Sequence, residues 1–328
     1  MTNIANISNM NDIVLECKSI SHSFGNKKVL HEISFRIIRG EIVALVGPSG
    51  CGKSTLLKAM IGTHLPKKGQ TIICSGGKSM VVTSPGRDRG IVYQEYSLPP
   101  FLRAQESVAL GLKLNETGIP FRFFMFPKWW KMRKEHMRSS AELLEKLGLK
   151  DAMRLFPHQM SGGMRQRVAV AQALIMKPEI LLLDEPFGAL DEATREEMQR
   201  MLLSLYLENC EAIKNKKDAP YTMLIVTHEL NEAIYVGDRV LGLSQYWNWK
   251  REGHAQCPGA TIVYDKVAPV FLPDAEREFD KFARQRREIR DIVFEQSLTD
   301  NCRQYLQFWE QIKGGEGEGV LDNGNAGH

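Results

Sequence analysis

The stretch Gly47-Pro-Ser-Gly-Cys-Gly-Lys-Ser-Thr55 carries glycines, a lysine and hydroxyls at the spacing G-x-x-x-x-G-K-[ST]. A loop of this kind turns backbone N–H groups inward and can cradle phosphate oxygens. Gly47, Pro48, Ser49, Gly50, Cys51, Gly52, Lys53, Ser54 and Thr55 are therefore candidate phosphate-binding residues. Lys53 would bring a mobile positive charge to the β- and γ-phosphates, and the Ser54 hydroxyl could ligate Mg²⁺. Far along the chain, Ile180-Leu-Leu-Leu-Asp-Glu185 is an apolar run ending in two carboxylates. Alone it is a common strand end. Joined to a phosphate loop it offers Asp184 to hold Mg²⁺ and Glu185 as general base for an attacking water. A third candidate is Ser161-Gly162-Gly163, just ahead of a helical pattern with Arg165 and Arg167 in its first turns. A helix N-terminus with exposed backbone is a ready anion site. One chain thus holds two phosphate-directed sites more than a hundred residues apart.

The elements around these residues follow from periodicity. Within 13–46, "IVLECKSI", "KVLHEISFRI" and "EIVALVG" are rich in Ile, Val and Phe, broken by Gly and polar residues, and predict strands. "KSTLLKAMIG" predicts a helix stopping at Gly62. Residues 139–149, 161–176 and 191–208 also predict helices, the last opening at Asp191. "EILLLDE" and "YTMLIVTHE" are unbroken apolar runs, the pattern of strands buried on both faces. The alternation predicts α/β architecture on a mostly parallel sheet. Ligands gather at the carboxyl ends of strands in such sheets. Three motifs fall there: after Val46, at Asp184-Glu185 and at Thr227-His228.

The remaining composition narrows the function classes. The 328 residues carry a net charge of +4, too mild to argue for nucleic acid. No apolar run approaches the roughly 18 residues of a membrane span, and the first residues lack a secretory pattern. Six cysteines without a CxxC pair, and eight histidines without ligand spacing, predict reduced thiols and no zinc site.

Five stretches occur together and in order: "GPSGCGKST", "PGRDRGIVYQ", "HQMSGGMRQRV", "LLLDEPFGALD" and "IVTHELNEA". On these the chain resembles ATP-binding cassette (ABC) ATPase subunits, most of all those of nitrate/sulfonate/taurine-type importers, over roughly residues 13 to 295. The resemblance implies a P-loop cassette with a RecA-like core sheet, an antiparallel β subdomain and a helical signature subdomain at about 97–175. The cassette would span 13–250 and a C-terminal extension with terminal helices 251–313, between a flexible 1–12 and a disordered tail, 314–328. It implies that Phe24 stacks on adenine, although a core residue at a strand edge would read the same. It implies that Gln94 touches Mg²⁺ and the attacking water, that His228 contacts the γ-phosphate, and that Asp191 links two active sites. Ser161, Gly162 and Gly163 would cap the γ-phosphate of a second subunit. Met160 and Met164 depart from the Leu and Gln more usual there.

The implied activity is ATP hydrolysis with Mg²⁺ by a homodimer. It would drive separate transmembrane permease subunits, served by a solute-binding protein, from the cytoplasmic face of the inner membrane. A soluble ABC ATPase acting on nucleic acid or ribosomes is the alternative, disfavoured by the single cassette, and no nucleic-acid partner is expected. Four segments stand out. Residues 121–134, "FRFFMFPKWWKMRK", form an aromatic and basic stretch suited to a membrane interface or to packing on a transmembrane subunit, or else to packing on the chain's own helical subdomain. Residues 209–219 and 245–257 read as inserted surface loops. Within 274–294, Phe279, Phe282, Ile289 and Val293 form an apolar helical stripe.

Overall fold

The computed structural model describes residues 12–95, 98–116, 126–268 and 279–296. The expected flexible N-terminus and disordered tail, apart from Asp12, lie outside the described residues. Ten strands and seven helices order the described chain: β1 Ile13–Phe24, β2 Lys27–Ile38, β3 Ile42–Val46, α1 Lys53–Ile61, β4 Lys68–Ser75, β5 Lys78–Val81, β6 Arg89–Val92, α2 Ala104–Glu116, α3 Phe126–Lys146, α4 Gly162–Leu174, β7 Ile180–Asp184, α5 Glu192–Lys214, β8 Met223–Thr227, α6 Leu230–Val236, β9 Arg239–Ser244, β10 Thr261–Val267 and α7 Phe279–Ile289. The last runs into a π-turn at Arg290–Phe294.

The core sheet has the order β10-β9-β3-β8-β7-β6. All its pairings are parallel except β10 with β9. Its inner strands β9, β3, β8 and β7 are buried on both faces, and alternate residues serve different cores. Leu181 and Leu183 join one apolar cluster with α4 and α5, while Ile180 and Leu182 join another with α1 and β2. A second, antiparallel sheet, β2-β1-β4-β5, covers one side. Helices α2, α3 and α4 pack together as a helical unit, with Val108, Leu144 and Val168 fully buried.

Tertiary contact redraws three of the expected segments. The helix expected at 139–149 begins at Phe126 and ends at Lys146, so the basic end of the aromatic stretch is helical; 121–125 lie outside the described residues. The expected loop at 209–219 is helical as far as Lys214. Asn209 is fully buried there. It donates to the carbonyls of Gly40 (2.8 Å) and Tyr221 (2.6 Å) and accepts from the Tyr221 N–H (3.0 Å). Nor is 245–257 a free surface loop. Trp247 is buried, donates from Nε1 to the Gly259 carbonyl at 3.0 Å, and stacks on His31 of β2 at 5.6 Å between ring centroids.

Past residue 250 the sheet continues without a break, since β10 pairs with β9. Phe282, Ile289 and Val293 pack on the apolar cluster beneath β9 and β10, whereas the Phe279 side chain lies outside the described set. One buried ionic cluster locks this end. Arg239 is inaccessible to solvent; its Nε and Nη2 donate to Asp265 at 2.5 and 2.9 Å, and its Nη1 donates to the Arg36 carbonyl (2.9 Å) and Glu41 (3.2 Å). Burial pushes the Glu41 carboxyl upward, and the Arg239 charge opposes that. Removing one partner of such a group strands the others in low dielectric. Arg239→Met should therefore lose about 3–5 kcal/mol in urea denaturation, more than a triple variant with Glu41 and Asp265 also made apolar.

Candidate functional site

The phosphate loop joins β3 to α1, both of which are fixed by the core. Gly47 has no room for a side chain: a Cβ would stand 2.2 Å from the Leu243 carbonyl oxygen of β9. Gly50 and Gly52 take left-handed φ values of 75° and 112°, open to glycine at little cost. At Gly52 a Cβ would also strike Leu30 at 2.7 Å and Val29 at 3.0 Å, so β2 presses directly on the back of the loop. Lys53 opens α1. Its buried Nζ donates to the carbonyls of Gly47 (2.7 Å) and Pro48 (3.0 Å), which folds the amine back over the loop.

A cavity of about 410 Å³ opens in front of this loop, and Phe24, Ser49, Lys53, Ser54, Thr55 and Glu185 are in its wall. Phe24 is half exposed at the end of β1 and meets His22 edge-on at 4.7 Å, so it is not a core residue. Cys51 is buried behind the loop, where burial raises its thiol pKa.

Asp184 ends β7 and Glu185 follows in a left-handed conformation, φ 47°, unusual for a residue with a side chain. Its N–H donates to the Val226 carbonyl at 2.8 Å, which ties the turn to β8. The Glu185 carboxylate lies 3.2 Å from Nδ1 of His228, at the end of β8. A side chain at Gly188 would stand 3.6 Å from both Glu185 Oε2 and Gln94 Nε2, so these two face a common space. Burial and then the neighbouring Glu185 charge raise the Asp184 pKa; Lys53 and Lys58 oppose them. Ser54 and Glu185 stand on the wall of the cavity, and Asp184 directly precedes Glu185 in the chain. Asp184, Ser54 and Gln94 carry oxygen donors of the kind Mg²⁺ takes.

Ser161, Gly162 and Gly163 are not on that cavity wall. Ser161 is exposed and caps α4, its Oγ accepting from the Met164 N–H at 3.2 Å. Gly163 is buried against α5: a Cβ would lie 1.8 Å from Cγ2 of Thr194. Asp191 caps α5 by accepting from the Thr194 N–H (3.0 Å) and hydroxyl (2.9 Å). These bonds hold its carboxyl below the usual range.

The ABC transporter family profile matches residues 30–188. The nitrate import ATP-binding protein NrtD of Synechococcus elongatus is 32% identical over 83% of this chain and 87% of its own length. The aliphatic sulfonates import ATP-binding protein SsuB of Bacillus subtilis is 39% identical over 65% of this chain and 71% of its own. The chain belongs to the ABC transporter ATP-binding proteins. Among solved structures, a dimeric ATP-binding cassette in a post-hydrolysis state with ADP and Pi superposes on this ABC ATPase with a TM-score of 0.56 at 26% identity. That match covers 78% of this chain and all of the other.

The motifs alone did not mark the residues that brace this ABC ATPase. Thr227 donates to buried Glu232 at 2.7 Å and accepts from the Glu229 N–H at 3.1 Å, which shapes the turn holding His228. Glu232 also lies 3.5 Å from Arg195 of α5. The His228 turn and the Asp191-capped helix are therefore mechanically joined. The only sequence signal was the spacing of Glu232 within "THELNEA". Thr194 likewise gave none, since its contact with Gly163 spans two helices. Gly163→Ala should force α4 and α5 apart and lower ATPase activity at least tenfold. Adding Thr194→Ser, which deletes the clashing methyl and keeps the hydroxyl, should restore much of it. A steady-state ATPase assay on both variants checks this.

Proposed function

We propose that this ABC ATPase is the nucleotide-hydrolysing subunit of an importer for a nitrate/sulfonate/taurine-like solute. It works as a homodimer with Mg²⁺ on the cytoplasmic face of the inner membrane, bound to permease subunits that a solute-binding protein serves. The likeness to a dimeric ATP-binding cassette solved with ADP and Pi carries the dimeric reading. The N-terminus of α4 is a ready anion site, which this reading sets against the γ-phosphate. A second copy, related by two-fold symmetry, supplies it.

In this reading Phe24 receives the adenine face, and the loop amides with Lys53 hold the β- and γ-phosphates. Ser54, Asp184 and Gln94 hold Mg²⁺, which supplies charge neutralisation of the phosphate oxygens. Glu185 takes the proton of the attacking water. Gln94 orients that water from the other side of the shared space, and His228 reaches the γ-phosphate while steadying Glu185. Ser161 and the first amides of α4 meet the γ-phosphate across the dimer. Asp191, bonded to Thr194 and so joined to Gly163, passes the state of one site to the other.

The nitrate and sulfonate relatives support the solute class. Among the described residues no helix is long and apolar enough to cross a membrane, in keeping with permeases on other chains. Purification from native membranes in mild detergent tests the assignment. Permease chains should accompany the ATPase, and loaded solute-binding protein should stimulate hydrolysis in the reconstituted complex. Stimulation by nucleic acid, with no permease recovered, would transfer the protein to the alternative class.

A further inference from the structure

The first turns of α3 concentrate charge. From Trp129 to Arg138 four basic residues, Lys131, Arg133, Lys134 and Arg138, oppose one acid, Glu135, a local +3 within a chain of net +4. At 100° per residue, Trp130, Lys134, Arg138 and Lys131 fall within about 100° of helical arc. All four are exposed, Trp130 by 58%. The flank of the helix next to this arc is already used. His136, Ser140 and Leu144 are buried, and the Met137 carbonyl accepts from Gln105 of α2 at 2.7 Å. The exposed arc is therefore not a core face left over from folding.

The end of α2 adds to it. Lys113 lines a small cavity of about 90 Å³ between the helices together with Trp129, Arg133 and His136, and Arg133 lies 5.7 Å over the Trp129 ring. Next to Lys113, Leu114 is 66% exposed. The combination is an amphipathic tryptophan, an exposed leucine and long cationic chains along one rim. Tryptophan favours the headgroup level of a bilayer, and lysine and arginine extend flexible stems to reach lipid phosphates.

We propose that this rim, the C-terminal end of α2 with the first three turns of α3, binds an anionic bilayer surface directly. The occupant is the negatively charged lipid headgroup layer. The contact is additional to any docking on a permease and orients the subunit against the membrane. Charge complementarity decides for lipid: each basic residue near an anionic surface strengthens binding by about fivefold, and the arc carries Lys131 and Lys134 beside Trp130, with Arg138 next to them bonded to Glu142 at 2.8 Å.

Flotation of the full chain with protein-free vesicles tests this. Vesicles of phosphatidylcholine containing phosphatidylglycerol should retain the protein at least tenfold better than phosphatidylcholine alone, and high salt should abolish the difference. Lys131→Glu with Lys134→Glu should cost at least tenfold in retention on the anionic vesicles, and Trp130→Ala a smaller loss. Both variants should bind ATP as the parent does, which shows that they fold. Equal retention on the two vesicle types, no retention on either, or unchanged retention of the charge-reversed variant would each overturn the proposal. Loss of association confined to permease-containing membranes would assign the rim to a protein contact instead. Because the protein-free vesicles hold no permease, the flotation result is independent of whether the importer assignment stands.

Discussion

Glu185→Gln should leave ATP binding close to that of the parent chain while slowing phosphate release about 100- to 10,000-fold, the usual contribution of a positioned general base. The substitution changes charge and basicity but hardly changes volume. The amide can still reach His228, whose Nδ1 lies 3.2 Å from the native carboxylate. It still faces the space shared with Gln94 beside Gly188. The strained φ of 47° is a backbone property, held by the bond from the Glu185 N–H to Val226, and is retained. What is lost is an oxygen able to accept the proton of the attacking water. Binding energy then accumulates without discharge, so ATP-loaded dimers should persist on a sizing column where the parent returns to monomers. His228→Ala provides the contrast, because it leaves the base in place and removes the imidazole beside it together with any contact that ring makes to the γ-phosphate. Turnover of Glu185→Gln near the parent rate would take the general-base role away from this residue.

The parts of this site legible in the sequence share one property: their chemistry depends on neighbours in the chain. The phosphate loop needs its glycines and Lys53 within nine consecutive residues, and Asp184 and Glu185 sit where an apolar run stops. The parallel core was legible for the same reason, since strands buried on both faces show as unbroken apolar runs. The parts that were not legible depend on partners distant in the chain. Asn209 reads as a polar residue in a loop, yet it is fully buried because Gly40 and Tyr221 present backbone groups to it. Trp247 reads as part of an inserted segment, yet it is fixed by His31, more than two hundred residues earlier. Gly163 fits the motif by type, but the reason it must be glycine is the Thr194 methyl on another helix. Periodicity carries no record of such encounters.

Those encounters also join the proposed catalytic residues to the parts expected to move. Gly163 touches Thr194, Thr194 bonds to Asp191, Arg195 lies beside Glu232, and Glu232 accepts from Thr227, next to His228. The N-terminus of α4 and the His228 turn are thus both fastened to the first turn of α5. A γ-phosphate held by one chain's loop and the other chain's α4 would draw on both fastenings at once. A shift from 1:99 to 99:1 in favour of the closed dimer needs about 5.5 kcal/mol of differential binding. Charge-assisted hydrogen bonds contribute roughly 1.5–3 kcal/mol each, so a few at each of two sites suffice.

A mixing experiment separates this shared-site arrangement from one in which each chain is self-sufficient. Lys53→Ala removes the amine folded over the phosphate loop. Ser161→Asp preserves the cap of α4, since aspartate is as good an N-cap as serine, but sets a negative charge against any γ-phosphate reaching it. Each variant alone should fail to retain ATP in a closed dimer, because every site contains the lesion. In an equal mixture with random pairing about half the dimers are heterodimers. In each of these, one site joins an intact Lys53 to an intact Ser161, while the other site holds both lesions. Labelled ATP retained after rapid gel filtration should therefore rise to about a quarter of the parent value, with both variants on a Glu185→Gln background to prevent loss by hydrolysis. If each chain instead completed its own site, mixing would leave retention at the average of the two variants. That flat result would detach Ser161 from the phosphate, whatever the fate of Glu185.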